Sequence, residues 1–170
     1  MSDCQELSTA IVKSGMSRQI SESFKTIIDN KTIFPVIYTE RVNDAGLDCF
    51  IIDCLSVEKN PLTLRSNKYT FQMIVEYRVD PSVGKARERE SSVGFKLLEV
   101  LQTIRIPGYF RDDEGQPITK DTITKGSDLS YKIVDNTLQF YVTYDVSAFI
   151  WQDKLYMNNV LIRMGKSQRV

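Results

Sequence analysis

The stretch "FRDDEGQPITKD" sets Asp112, Asp113 and Glu114 side by side before Gly115. Clustered carboxylates are what a hard cation such as calcium or magnesium takes. An EF-hand loop, however, alternates its oxygens at positions one, three and five and closes with a distant Glu, and this stretch lacks that spacing. It reads as a solvated loop. An enzyme of carboxylate type would need a pair such as Asp112 with Asp53 or Asp145 to converge in a pocket. Of the three cysteines, Cys49 and Cys54 lie in "LDCFIIDCLSV", a strand pattern in which a separation of five sends the two thiols to opposite faces. They neither bridge each other nor share a metal there, and with Cys4 they read as ordinary thiols of a reducing compartment. The chain has no histidine, so imidazole serves neither as base for a Ser or Cys nucleophile nor as ligand for zinc or iron. No GxGxxG or GxxxxGK[ST] run cradles a phosphate. The expectation is a protein that is not an enzyme, with no catalytic residues, no metal and no cofactor.

The composition agrees. Lysine plus arginine equals aspartate plus glutamate at 22 each, which leaves no global field to gather nucleic acid or anionic lipid. No sequence-specific nucleic acid and no membrane are expected as partners. The N-terminus "MSDCQELSTAIVKSG" lacks the basic and apolar blocks of a signal peptide, and no apolar run approaches the ~18 residues of a membrane span. The expected product is soluble and stays where it is made. With 170 residues, 42% of them hydrophobic, the chain has the means to bury a sizeable core, and one domain is expected.

The positioning elements follow from periodicity. Leu7, Ile11, Met16, Ile20, Phe24, Ile27 and Ile28 recur at helical spacing over Gln5 to Asp29, with Gly15 as a break or hinge. A second helix is expected from Asp80 as cap and Pro81 as first position to a stop at Pro107 and Gly108, burying Val93, Leu97, Leu98, Leu101 and Ile104. The run "KARERE" (85–90) alternates in sign and reads as a solvated, ion-paired helix start. Strands are expected at Val36–Thr39, Leu47–Glu58 and Tyr69–Val79, with "NPLTLRSN" as a loop. In "YTFQMIVEYRV", Tyr69, Phe71, Met73, Val75, Tyr77 and Val79 share one face. "YKIVDNTLQFYVTYDV" is a β-hairpin turning at Asp135, Asn136 and Thr137, with Leu138, Phe140, Val142, Tyr144 and Val146 inward and Gln139, Tyr141, Thr143 and Asp145 outward. The expected fold class is α+β: an antiparallel sheet of about four to five strands with two helices packed on one face.

That order of elements, with "PVIYTE", "YTFQMIVEY", "GFKLLEVLQTI" and above all "LSYKIVDNTLQFYVTYDV", resembles the tail terminator, or tail completion, proteins of phages and phage-like tail particles of Gram-positive bacteria. The resemblance covers residues 16–148, and the closing hairpin is its most specific segment. It implies a structural protein, assembled in the bacterial cytoplasm, that forms a ring, usually of six subunits, on the head-proximal end of the tail tube. The ring ends polymerisation of the tube, and its partners are other copies of itself, the tube protein, and the sheath and the neck, collar or connector proteins. The particle is a virion or a headless, bacteriocin-like contractile tail. The alternative within the same kind of particle is a head–tail connector or head-completion protein.

A single α+β domain is thus expected over residues 1–150 and a C-terminal extension over 151–170. The extension crowds Trp151, Leu155, Tyr156, Met157 and Leu161 among four basic residues. One reading folds it back on its own domain; the preferred one makes it an inter-subunit arm, with Trp151, Tyr156 and Met157 as anchors. Tyr141 and Thr143, on the outward face of the hairpin, complete the expected interface.

Overall fold

The structure, a computed structural model, describes residues 8–149 except 43–44, 65, 83, 107–113, 115 and 117–120, and of Phe149 only the backbone. The described chain forms helix α1 (Thr9–Ser23), strands β1 (Thr26–Ile28), β2 (Lys31–Ile33), β3 (Val36–Tyr38), β4 (Cys49–Thr63) and β5 (Ser66–Arg78), helix α2 (Ala86–Val100), and strands β6 (Thr103–Ile106), β7 (Thr122–Val134) and β8 (Thr137–Phe149). Six strands form one sheet in the order β3-β4-β5-β8-β7-β6, while β1 and β2 form a separate hairpin.

The middle of the sheet follows from strict alternation. β5 and β8 pair antiparallel without interruption from Ser66 beside Phe149 to Arg78 beside Thr137. One face of this pair therefore carries Phe71, Met73, Val75 and Tyr77 against Leu138, Phe140, Val142, Tyr144 and Val146, all buried. Ile11, Val12, Met16 and Ile20 of α1, and Leu97 of α2 with Leu101 just beyond it, close the same cluster from above. Two helices on one face of a sheet is the α+β arrangement expected. The sheet itself differs from expectation, being six-stranded and mixed, because β3 runs parallel to β4 with Val36 beside Cys49 and Tyr38 beside Ile51. Arg41, which follows β3, reaches Asp53 of β4 and Glu76 of β5 at 3.3 and 3.4 Å.

The helices are shorter than their apolar spacing suggests. α1 ends at Ser23, and Ile27 and Ile28, which extend its stripe on paper, belong to β1 and are exposed. Gly15 neither breaks nor hinges α1. It is buried where the helix crosses β6, and a Cβ there would lie 2.6 Å from the Arg105 carbonyl oxygen. Leu7 lies outside the described residues. α2 starts at Ala86 rather than at Pro81, because Asp80 spends its side chain on a turn, accepting from the Ser82 N–H at 2.9 Å and the Ser82 hydroxyl at 2.7 Å. Its stop is a strand: Leu101 caps it and Thr103 already pairs in β6, so Ile104 is a strand residue rather than part of the helical stripe. Pro107 and Gly108 lie outside the described residues.

"NPLTLRSN" is not a loop. β4 runs through it to Thr63 and β5 starts at Ser66, so the two strands form a long ribbon. The charge run before and into α2 is solvated in part, with Lys85 paired to Glu88 at 3.9 Å and Arg89 to Asp48 at 3.5 Å. Glu90 departs from it: the side chain is buried, and its Oε1 has no hydrogen-bond partner among the described residues.

Two expectations follow. Tyr144 is fully buried and its hydroxyl donates to the Leu101 carbonyl at 2.7 Å, which ties the end of α2 to the sheet. Tyr144→Phe leaves that carbonyl unsatisfied and is expected to lower stability by about 1–2 kcal/mol, roughly 3–6 °C in Tm, read by thermal denaturation. Burial also pushes the Glu90 carboxyl above its ordinary value, against a smaller opposing effect of Arg87. A raised folded-state pKa contributes stability below the unfolded value of about 4.5, and that contribution is lost as pH rises through the folded value. Glu90→Gln should therefore be more stable than wild type at pH 7, with the difference shrinking towards pH 4 in a denaturant titration.

Candidate interaction surface

The face of the sheet away from the helices is assembled from the polar half of each alternating strand. Tyr141 and Thr143 lie on it, as their positions in the hairpin require, opposite Ile74 and Gln72 of β5. Both are half-buried by their neighbours rather than freely exposed. The Tyr141 hydroxyl donates to Gln139 Oε1 at 3.0 Å, and Lys132 Nζ lies 5.5 Å from the centre of its ring. Asp145 accepts from the Thr70 hydroxyl at 2.6 Å and pairs with Lys68 at 3.5 Å. Exposed pairs of this kind each contribute little to stability. Trp151, Leu155, Tyr156, Met157 and Leu161 lie outside the described residues, so the structure does not bring them to this face or away from it.

Asp53 and Asp145, each named as a possible partner of Asp112, lie apart on the sheet. Asp53 stands beside Ile74 and Asp145 beside Thr70, four residues apart along β5 and on opposite sides of it, or about 13 Å along the strand alone. Each has its own cation: Asp53 takes Lys13 at 3.6 Å and Arg41 at 3.3 Å. Asp112 and Asp113 lie outside the described residues. Among the described residues, no group of three or more acidic or thiol side chains is placed to hold a metal ion. Cys49 pairs with Arg78 and Cys54 with Met73, which puts the thiols on opposite faces as the spacing requires. Burial pushes both thiols up from their ordinary values, so neither is poised as a thiolate. An open depression lies along α1 beside Lys13, Ser17, Arg18 and Thr39.

Two apolar surfaces escaped the reading of the sequence. The first is the β1–β2 hairpin, where Ile27, Ile28, Ile33, Phe34 and the following Val36 are each about half exposed or more. Its turn is Asp29-Asn30, both at positive φ (50° and 61°), with Ile28 paired to Lys31. That is the two-residue geometry in which Asn and Asp are favoured. The signal was available, since the same Asp-Asn pair turns the closing hairpin at 135–136 with φ of 49° and 57°. Three-residue arms, however, fit equally well as the tail of a helical stripe.

The second surface runs along the β4–β5 ribbon from the middle of β4 to its turn. The β4 register slips between Cys54 and Ser56 and again between Pro61 and Thr63. Each slip leaves one leucine, Leu55 or Leu62, outside the ladder, and both are more than half exposed. Val57 and Leu64 lie beside them, Leu64 at 96% exposure. β3 covers the outer edge of β4 only from Cys49 to Ile51. Beyond it the Asp53 carboxylate accepts from the Cys54 N–H at 2.8 Å, and Lys59 and Pro61 occupy the strand further out. A charge and a residue without an N–H are what blunts an open edge.

Among the described residues the chain thus offers a largely polar sheet face and two sets of exposed apolar side chains. No curated protein sequence matches it. The phage tail terminator protein family matches residues 12–155, from within α1 through β8 and so across every strand of the sheet. Over that span, with the architecture described, the chain belongs to the phage tail terminator protein family, a family of structural components of the phage tail.

Proposed function

We propose that copies of this chain form a closed ring on the head-proximal end of a phage or phage-like tail tube and end its polymerisation there. The observation that carries the reading is the family match over residues 12–155. The exposed apolar projections at the β1–β2 hairpin and the ribbon tip support it, because surface of that kind is unfavourable for a monomer and useful at a subunit contact. Six subunits is the expected stoichiometry, with the tube protein as direct partner and the sheath, neck or collar as neighbours. Deleting the gene from its particle is expected to yield tails of irregular and excessive length; a normal length distribution in micrographs would count decisively against the reading.

The C-terminal segment is an assembly arm in this proposal. β8 pairs with β5 to the last described position, Phe149 beside Ser66, and so hands residues 150–170 on at the ribbon tip. A chain truncated after Gln152 should keep its thermal stability but lose tail-end occupancy in purified particles. Unchanged occupancy would remove the arm, and a lower Tm of the isolated chain would show that the segment folds on its own subunit instead.

A further inference from the structure

A closed ring is a head-to-tail assembly, in which each subunit presents two different surfaces, one to the neighbour on each side. Among the described residues the sheet ends in two such surfaces, at the same level and on opposite edges. One line of paired residues, Val36, Cys49, Arg78, Thr137 and Val134, crosses it from β3 to β7. At the β3 end of that line, about 19 Å from β7 at four strand spacings, the chain comes in from the β1–β2 hairpin, which packs on no other described helix or strand to any extent. At the other end β6 pairs with β7 only from Thr122 to Lys125. No described strand or turn pairs with the outer edge of β7 from Ser127 to Val134.

We infer, on the ring reading proposed above, that the β1–β2 hairpin of one copy adds antiparallel to the open β7 edge of the next, along Ser130–Val134. The backbone groups match. In a two-residue hairpin the pair that flanks the turn exchanges both its hydrogen bonds, and bonding alternates from there. Ser130, Lys132 and Val134 therefore spend their groups on β8, while Tyr131 and Ile133 turn N–H and C=O to the open edge. In the β1–β2 hairpin the same alternation turns those of Ile27 and Thr32 outward. The β7 edge is also unguarded: Ser130–Val134 holds no proline, and its single charge, Lys132, is drawn over the sheet to within 5.5 Å of the centre of the Tyr141 ring.

The side chains match as well. Tyr131 and Ile133, opposite Phe140 and Leu138, are on the helix side, where α2 lies over the edge. A Cβ on Gly94 would stand 2.8 Å from the Tyr131 ring, and the Ser91 hydroxyl is 3.3 Å from that of Tyr131. Phe95, one helical turn beyond Ser91 on the same flank, is 64% exposed. Residues that bond across an antiparallel pair share a face, so Ile27 enters on the side of Phe95, and Ile28 and Ile33 come to the other face with Val134, itself 41% exposed. An isolated two-stranded hairpin is marginal in water, and strand addition covers both of its faces at once.

The test uses the full chain inside its particle. With Phe95→p-benzoyl-phenylalanine and a mixture of isotopically light and heavy copies, irradiation of purified particles should join position 95 to residues 26–34 of a different copy. An adduct to residues 150–170, to the tube protein or to another part of a second copy overturns the inference, as does the absence of any inter-copy adduct. Backbone pairing has its own readout: the Tyr131 and Ile133 amides should exchange about tenfold more slowly in the assembled ring than in the free chain, and equal exchange overturns the strand addition. Ile27→Asp changes a side chain that is 72% exposed, so Tm should stay within about 1 °C of wild type. It should lower tail-end occupancy by about tenfold or more, and unchanged occupancy overturns the contact. A full ring with the adduct elsewhere removes this inference alone. A single wild-type copy per tail end removes the ring reading and the contact with it.

Discussion

The uninterrupted pairing of β5 with β8 is the constraint on which the rest of the molecule depends. Thirteen residues of each strand pair in register, without a bulge. Side chains alternate with a period of two, so a slip of one residue would turn Phe71, Met73, Phe140 and Tyr144 out to solvent together. The register is thus fixed by burial over its whole length. Irregularity is displaced to the neighbours: β4 slips twice against β5, and β7 slips once against β8 between Ser127 and Ser130. A rigid central pair with adaptable flanks lets the same core carry differently shaped edges.

Legibility in the sequence follows element length. The long alternating strands announced both their faces, and every inward residue expected of β8 is buried. Of the short elements, β3 is expected at Val36–Thr39, but β1, β2 and β6, with three or four residues each, are too short for a period of two to emerge, and nothing local distinguishes the parallel pairing of β3 with β4 from an antiparallel one. Ile20, Phe24, Ile27 and Ile28 satisfy helical spacing although the last two are strand residues, because periodicity counts apolar positions and takes no account of the turn at Asp29 and Asn30. The ribbon was hidden by composition: Asn60, Pro61, Ser66 and Asn67 are turn formers, yet all four are paired in the ladder. Of the expected interface, Tyr141 and Thr143 stand on the face assigned to them, half-buried. The apolar projections went unread, since a side chain pushed out by a bulge leaves no periodic trace.

The polar and apolar surfaces divide the work of the fold. On the side away from the helices, charges are paired locally, Arg41 with Asp53 and Glu76 and Lys68 with Asp145, so that face carries little unbalanced charge. Many of the large exposed apolar side chains lie instead on the β1–β2 hairpin and along the β4–β5 ribbon, with Phe95 and Ile123 among those elsewhere. The helices, pinned through the Tyr144–Leu101 hydrogen bond and the Gly15 crossing, leave both projections free.

The guarded edge of β4 bears on what else the ribbon can recruit. A ribbon this long with an open backbone edge would recruit further strands from any chain it met, and newly made copies would grow into fibres. With Asp53 folded over the near part of the edge and Lys59 and Pro61 further out, growth by strand addition is blocked. Contacts along this edge of the ribbon are then left to side chains rather than to backbone pairing.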